Sequence, residues 1–228
     1  MWADGYVTVV GGGDSPKTAL AVIIDLTEQM RAEERQELMM NELNHRVKNT
    51  LASVQSLAVL TMRHSDTPET FTHAFLSRLQ ALSTTHNLLT EAQWEGASLR
   101  DVIADELQPY APRDERRVVM YGDPLELNPK QVISFGMFVH ELATNAAKYG
   151  ALSTPSGQIV VSWNVDRENG GPTLMMRWQE NGGPPVAPPS RQGFGSRLIE
   201  QTIKESLGGT IEIAYPPEGI RCAIAVPL

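Results

Sequence analysis

The chain is short of cysteine, of long apolar runs and of positive charge, and each shortage excludes something. A single cysteine, Cys222, among 228 residues rules out an internal disulfide and suits a reducing cytoplasm. It alternates with Ile220, Ile224 and Val226 along the last strand candidate, a pattern that makes it a core residue and not a reactive thiol. No apolar run reaches the roughly 20 residues of a membrane-spanning helix, and no signal-peptide pattern is visible. Lys and Arg number 19 against 27 Asp and Glu, a formal net charge of −8. Such a balance lacks the basic footprint that nucleic acid calls for. What is present is enough hydrophobic residue, 41% of the chain, for one large or two small domains with proper cores.

The most informative stretch runs from Phe138 to Lys148, where Glu141, Asn145 and Lys148 stand at i, i+4 and i+7 and so share one helix face. Val132, Ile133, Phe135, Phe138, Val139, Leu142, Ala143 and Ala146 cover most of the remaining circumference, which marks a largely buried helix. An acid, an amide and a cation in that row suit a metal-bound polyphosphate: the carboxylate takes a proton or holds a water, the amide oxygen is a hard ligand for Mg²⁺, and the ammonium meets phosphate. Taken alone, the same row also reads as a polar stripe facing solvent.

Two further elements follow. A strand candidate, Leu174 to Trp178, runs into Gln179-Glu180-Asn181-Gly182-Gly183-Pro184, and after a proline-rich stretch comes Gly193-Phe194-Gly195-Ser196-Arg197-Leu198-Ile199-Glu200. The last is a glycine turn opening an amphipathic helix. Glycines there let backbone approach a phosphate, and the first helix amides are unpaired donors at the positive end of the dipole.

In this order the three elements resemble the nucleotide-binding domain shared by histidine kinases, gyrase, the Hsp90 chaperones and MutL. More narrowly they resemble the HWE family of sensor histidine kinases, named for a His in the asparagine-containing helix and a Trp-x-Glu in place of Asp-x-Gly, here His140 and Trp178-Gln179-Glu180. The resemblance extends over about residues 38 to 228. It implies an α+β chain: a helical-hairpin dimerisation and phosphoacceptor domain, then a Bergerat-type α/β sandwich that binds ATP and Mg²⁺. By the same resemblance Glu180 bonds the adenine amino group, Gly182 and Gly183 leave room for the ring, and Gly193 and Gly195 approach the phosphates. Trp178 belongs to that site, Asn145 holds the metal, and His140 and Glu141 are catalytic.

Three regions are expected. Residues 1–27 read as two strands, Tyr6–Val10 and Ala19–Ile24, joined by the turn-rich Gly11 to Pro16. Asp25-Leu26-Thr27 then resembles the exit of a PAS-type sensor, most of which would lie outside this chain. Residues 28–96 read as a helical hairpin, with Leu43, Val47, Leu51, Val54 and Ala58 on one stripe of the first helix. Phe71, Phe75, Leu79, Leu82 and Leu89 of the second are placed to pack against it. So thin a hairpin pairs into a four-helix bundle, which makes a homodimer the expectation. Residues 97–228 form the nucleotide domain, with helices over Leu99–Tyr110, Pro129–Lys148 and Ser196–Leu207 against a mixed sheet.

The first hairpin helix carries Glu42-Leu43-Asn44-His45-Arg46-Val47-Lys48-Asn49. At about 100° per residue His45 lies roughly 160° from Val47, away from the stripe. A lone outward histidine is ordinarily just surface, but His-Arg-x-Lys-Asn resembles the HWE phosphoacceptor box, so His45 is expected to be phosphorylated. His64, His73 and His86 read as surface or packing residues. In the commonest histidine kinases an acid follows the phosphoacceptor, whereas here Arg46 does. The proton acceptor is thus open between Glu42, which could orient the ring from i−3, and Glu141. Asn49 either positions a water for dephosphorylation or is plain polar surface. The expected activity is ATP-dependent phosphorylation of His45 and transfer to an aspartate of a separate response regulator. A phosphorelay adaptor that no longer binds ATP, and a serine-directed kinase of the same superfamily, are the alternatives.

Overall fold

The computed structural model describes residues 2–10, 18–63, 65–110, 116–168, 171–188 and 194–228. The Gly11 to Pro16 turn, His64 and Gly193 lie outside the described residues. Two compact units divide the chain, Met1–Ser56 and Leu57–Leu228.

In the first unit β1 (Ala3–Val10) and β2 (Thr18–Asp25) pair antiparallel, from Ala3 opposite Asp25 to Val10 opposite Thr18. The hairpin closes on the start of α1 (Thr27–Arg63). Asp25 Oδ1 accepts the Thr27 amide at 2.9 Å, and Thr27 Oγ1 accepts the Trp2 amide at 2.9 Å. The Thr27 hydrogen bonds hold the Asp25 carboxyl below its ordinary pKa. Along α1, Leu43, Val47 and Leu51 are exposed.

The second unit is built on a five-stranded mixed sheet in the order β4 (Val118–Gly122), β6 (Gln158–Asp166), β7 (Thr173–Asn181), β9 (Arg221–Pro227), β8 (Thr210–Ala214). Only the β4–β6 pair is parallel. Strand alternation turns Ile159 and Val161, Leu174, Met176 and Trp178, and Cys222, Ile224 and Val226 to one face. They meet Val102 and Ile103 of α3 (Leu99–Leu107), Phe135, Val139 and Leu142 of α4 (Pro129–Lys148) and Ile199 of α5 (Phe194–Gln201) in one core. Burial pushes the Cys222 thiol up to about 12, as fits a core residue. A short pair, β3 (Ala97–Ser98) with β5 (Glu126–Leu127), joins the starts of α3 and α4. Where one helix from Ser196 to Leu207 is expected, α5 gives way at Thr202–Ser206 to a π-helical turn. Among the described residues no helix is long and apolar enough to cross a membrane.

Helix starts follow local chemistry. Thr67 and Asn128 each cap a following helix in a reciprocal capping box, with Pro68 and Pro129 in the first turn.

The second hairpin helix, α2 (Pro68–Glu91), packs on α4 as well, a partner the sequence did not indicate. Leu89 joins the main core, and Ala81 clusters with Leu57 of α1, Met137 of α4 and Leu198 of α5, with Phe75 packed against them. The close approach to α4 depends on Gly136: a Cβ there would fall 2.0 Å from Thr85 Cγ2, so the bare glycine lets the two helices come together. Gly136→Ala is expected to destabilise the protein by about 1–3 kcal/mol in denaturant melts. Thr85→Ser removes the clashing methyl and leaves the Oγ bonds to Ala81 and Leu82, so Gly136→Ala combined with Thr85→Ser should recover most of that loss. Equal instability of single and double variants would disprove the close approach.

Candidate functional site

Helix α4 buries His140 and Glu141, leaves Asn145 half-buried and exposes Lys148, so the predicted polar face runs from the core out to solvent. A buried polar group needs a partner, and these two find theirs on different helices.

His140 is held at both ring nitrogens. Nδ1 lies 3.0 Å from Glu106 Oε2 on α3 and Nε2 lies 2.8 Å from Ser77 Oγ on α2. Thr144 Oγ1, 3.5 Å from Nε2, links onward to the Tyr110 hydroxyl at 3.1 Å. Burial pushes the Glu106 carboxyl up, and its hydrogen bond to His140 opposes that shift. Held at both ring nitrogens by protein groups, His140 ties α2, α3 and α4 together.

Glu141 is gripped by Arg78 of α2, Nε to Oε1 at 2.8 Å and Nη2 to Oε2 at 3.2 Å, both side chains being buried. Removing one partner of such a buried pair costs about 3–5 kcal/mol, because the other charge is stranded. Over this carboxylate passes the start of α5. A Cβ on Gly195 would fall 2.6 Å from Glu141 Oε2 and 3.6 Å from Asn145 Nδ2, so only glycine lets the turn sit against the acid and the amide.

Strand β7 carries Trp178 and Glu180 on its inner face by simple alternation. The Trp178 indole N–H donates to Glu180 Oε1 at 3.2 Å, and the Ala151 amide donates to Oε2 at 2.8 Å. Burial raises the Glu180 carboxyl, with these two donors opposing. A Cβ on Gly183 would fall 2.8 Å from the Ala151 amide nitrogen, and one on Gly182 3.0 Å from the Ser156 carbonyl, so on that side the two glycines let the 150–157 segment approach closely.

Sequence reasoning missed the side chains that fix these groups. Arg78 falls in the series Phe71, Phe75, Arg78, Leu82, Thr85, Leu89, and a charge on an apolar stripe was the available signal. Arg117 gave none. Its Nη2 donates to the Leu152 and Thr154 carbonyls at 3.2 and 2.7 Å and its Nε to Gly157 at 3.3 Å, while Thr154 Oγ1 donates to the Gly182 carbonyl at 2.8 Å.

In the first unit His45 is exposed, with Asn49 Nδ2 3.4 Å from its Nδ1. An amide offers a donor and an acceptor, so Asn49 is able to hold either tautomer. Glu42 pairs with Arg46 at 2.8 Å, and that hydrogen bond lowers its pKa.

Residues 42–124 match the HWE histidine kinase family. A blue-light-activated histidine kinase of Brucella anthropi is 36% identical over 216 residues, covering 95% of this chain and 44% of that protein. Its counterpart in Brucella ovis is 35% identical over the same length. The chain thus spans less than half the length of these curated relatives. The fold is similar to the blue-light activated histidine kinase EL346 of Erythrobacter litoralis, at a TM-score of 0.57 and 23% identity over 83% of this chain and 59% of that one. The histidine kinase domain of the same protein gives 0.52 and 16% over 78% and 96%. Over residues 42–124 the chain is thus similar to the HWE histidine kinases, and it carries a His in the buried helix, His140, and Trp178-Gln179-Glu180 at the strand end.

Proposed function

We propose that this chain is the kinase part of a two-component sensor, an ATP:protein-L-histidine phosphotransferase that phosphorylates His45 and hands the phosphoryl group to an aspartate of a response regulator. The observation that carries the reading is the meeting, in one unit, of motifs far apart in sequence: the Gly195 turn lies on Glu141 and beside Asn145. The buried acceptor Glu180 and the exposed His45 on a separate unit complete what the reaction requires.

Glu180 accepts the exocyclic N–H of adenine. Gly195 lets backbone amides at the start of α5 face phosphate, and Lys148, exposed at the end of α4, meets it as well. Asn145 would hold Mg²⁺, which when bound neutralises charge on the phosphate oxygens. The half-buried amide beside a glycine cradle fits that role. A ring nitrogen of His45 attacks the γ-phosphorus in line. The N–P bond forms as the bond to the β-phosphate oxygen breaks and ADP leaves, and the ring proton passes to Glu141 or to a water it holds. In the second transfer the N–P bond breaks as a receiver carboxylate takes the phosphoryl group. Exposed Leu43, Val47 and Leu51 supply the apolar face for a homodimer through the hairpin. The β1–β2 pair with Asp25-Leu26-Thr27 belongs to a PAS-type sensor exit, and the chain works in the cytoplasm.

Incubated with labelled ATP, the protein should take up label that is acid-labile and alkali-stable. His45→Gln should abolish it while ATP affinity stays within about threefold, since the histidine is substrate and not pocket. Label surviving in that variant would move the acceptor elsewhere.

Asn145→Ala should weaken Mg²⁺-dependent ATP binding in calorimetry and remove kinase activity. A folded variant with unchanged Mg²⁺ dependence defeats the assignment.

ATP should bind more tightly than GTP by about tenfold to a hundredfold, because a carbonyl facing Glu180 leaves two acceptors unpaired at about 1–3 kcal/mol. Glu180→Ala should lose most ATP affinity together with that preference. Glu180→Asp should also weaken ATP, since the shorter acid forfeits the Trp178 and Ala151 donors. Full ATP affinity in a folded Glu180→Ala protein would place the adenine site elsewhere.

A further inference from the structure

Two consecutive residues of α2 grip two consecutive residues of α4: Ser77 holds His140, and Arg78 holds Glu141. Only the second grip reaches a group assigned to phosphoryl transfer. We infer that Arg78 is a positioning residue for the kinase reaction: from the return helix of the phosphoacceptor hairpin it fixes the Glu141 carboxylate beside Asn145 and beneath the Gly195 turn.

Three features of the geometry support this. The guanidinium reaches both carboxylate oxygens, Nη2 donating to Oε2 at 3.2 Å and Nε lying 2.8 Å from Oε1 in an ion-pair contact, and a planar group set against both oxygens limits the turning of the acid where a point charge would only attract it. A carboxylate has about four lone-pair sites, so the two taken by Arg78 leave acceptor capacity for a proton or a water. Finally, the side of Glu141 that Arg78 immobilises is the one against which Gly195 is packed, Oε2 lying 2.6 Å from where a Cβ would stand. An acid free to swing would enter the space the glycine turn needs. Arg78 thus holds Glu141 in place and keeps the phosphate-facing turn clear of it. Its position on an otherwise apolar stripe of α2 follows, because that stripe also packs on α4. Movement of α2 along its axis would shift this contact, so the helix that returns from the His45 helix also sets the acid of the nucleotide helix.

The inference rests on the histidine-kinase reading, and the test separates the two. In the full 228-residue chain, Arg78→Lys, Arg78→Met, Glu141→Gln and the double variant Arg78→Met with Glu141→Gln would be compared for thermal melting, ATP affinity by calorimetry, and initial rate of His45 labelling at saturating ATP. A positioning role predicts that Arg78→Met lowers the rate about a hundredfold, the scale of a misplaced catalytic group, with ATP affinity within about threefold. Arg78→Lys, which keeps the charge but not the planar group, should recover part of the rate. Against a Glu141→Gln background, removing Arg78 should cost nothing more, since it acts through that acid. Should Arg78→Met fail to fold, Arg78→Lys and the double variant, in which no charge is stranded, carry the comparison. A rate at or above wild type in a folded Arg78→Met or Arg78→Lys protein would mean the pair restrains the acid and would overturn the inference. So would a further loss from Arg78→Met on top of Glu141→Gln, or a loss confined to ATP affinity. Absence of acid-labile label in the wild type would instead defeat the kinase reading itself.

Discussion

The structure of the second unit turns on one constraint: α4 must lie in the core and yet carry ionisable side chains there. Apolar residues on the rest of its surface drive it against the sheet and α3, and the desolvation of His140 and Glu141 then has to be offset by partners within the protein. Those partners come from α2 and α3. The grouping of α2 with the second unit is a consequence, since a helix that supplies Ser77 and Arg78 to buried groups is tied to them by more than apolar contact.

Glycine solves the second problem, bringing separated segments into reach. Gly136 lets α2 approach α4, Gly183 sets the strand-end turn against Gly150 and Ala151, and Gly195 sets the start of α5 on Glu141. These are crowding effects, where a single methyl would meet a packed side chain, backbone or a carboxylate. They explain why the glycine motifs recur at the places where the site is assembled and not merely at exposed turns.

The segment around His45 follows the opposite rule. His45 is exposed, its neighbours Glu42 and Arg46 pair on the helix surface, and Asn49 lies beside the ring. A substrate residue has to be reachable, whereas the groups that orient nucleotide have to be immobile, and the contrast in burial between His45 and the pair His140 and Glu141 reflects that division of roles in the proposed reaction.

Much of this was written in the sequence by itself. Periodicity of 3.6 marked helix α4, alternation marked the strand that carries Cys222, and the motifs around His45, Asn145, Glu180 and Gly195 pointed to the nucleotide chemistry, because each is a local signal carried by a few neighbouring residues. Tertiary structure alone decided which groups pair. That α2 packs on α4, that Arg78 takes Glu141, that His140 is locked between Ser77 and Glu106, and that Arg117 ties down the loop behind Gly182 all depend on contacts between residues 28 to 63 positions apart. No local pattern encodes such a contact. It arises when burial forces each polar group to find a partner among whatever the fold brings near.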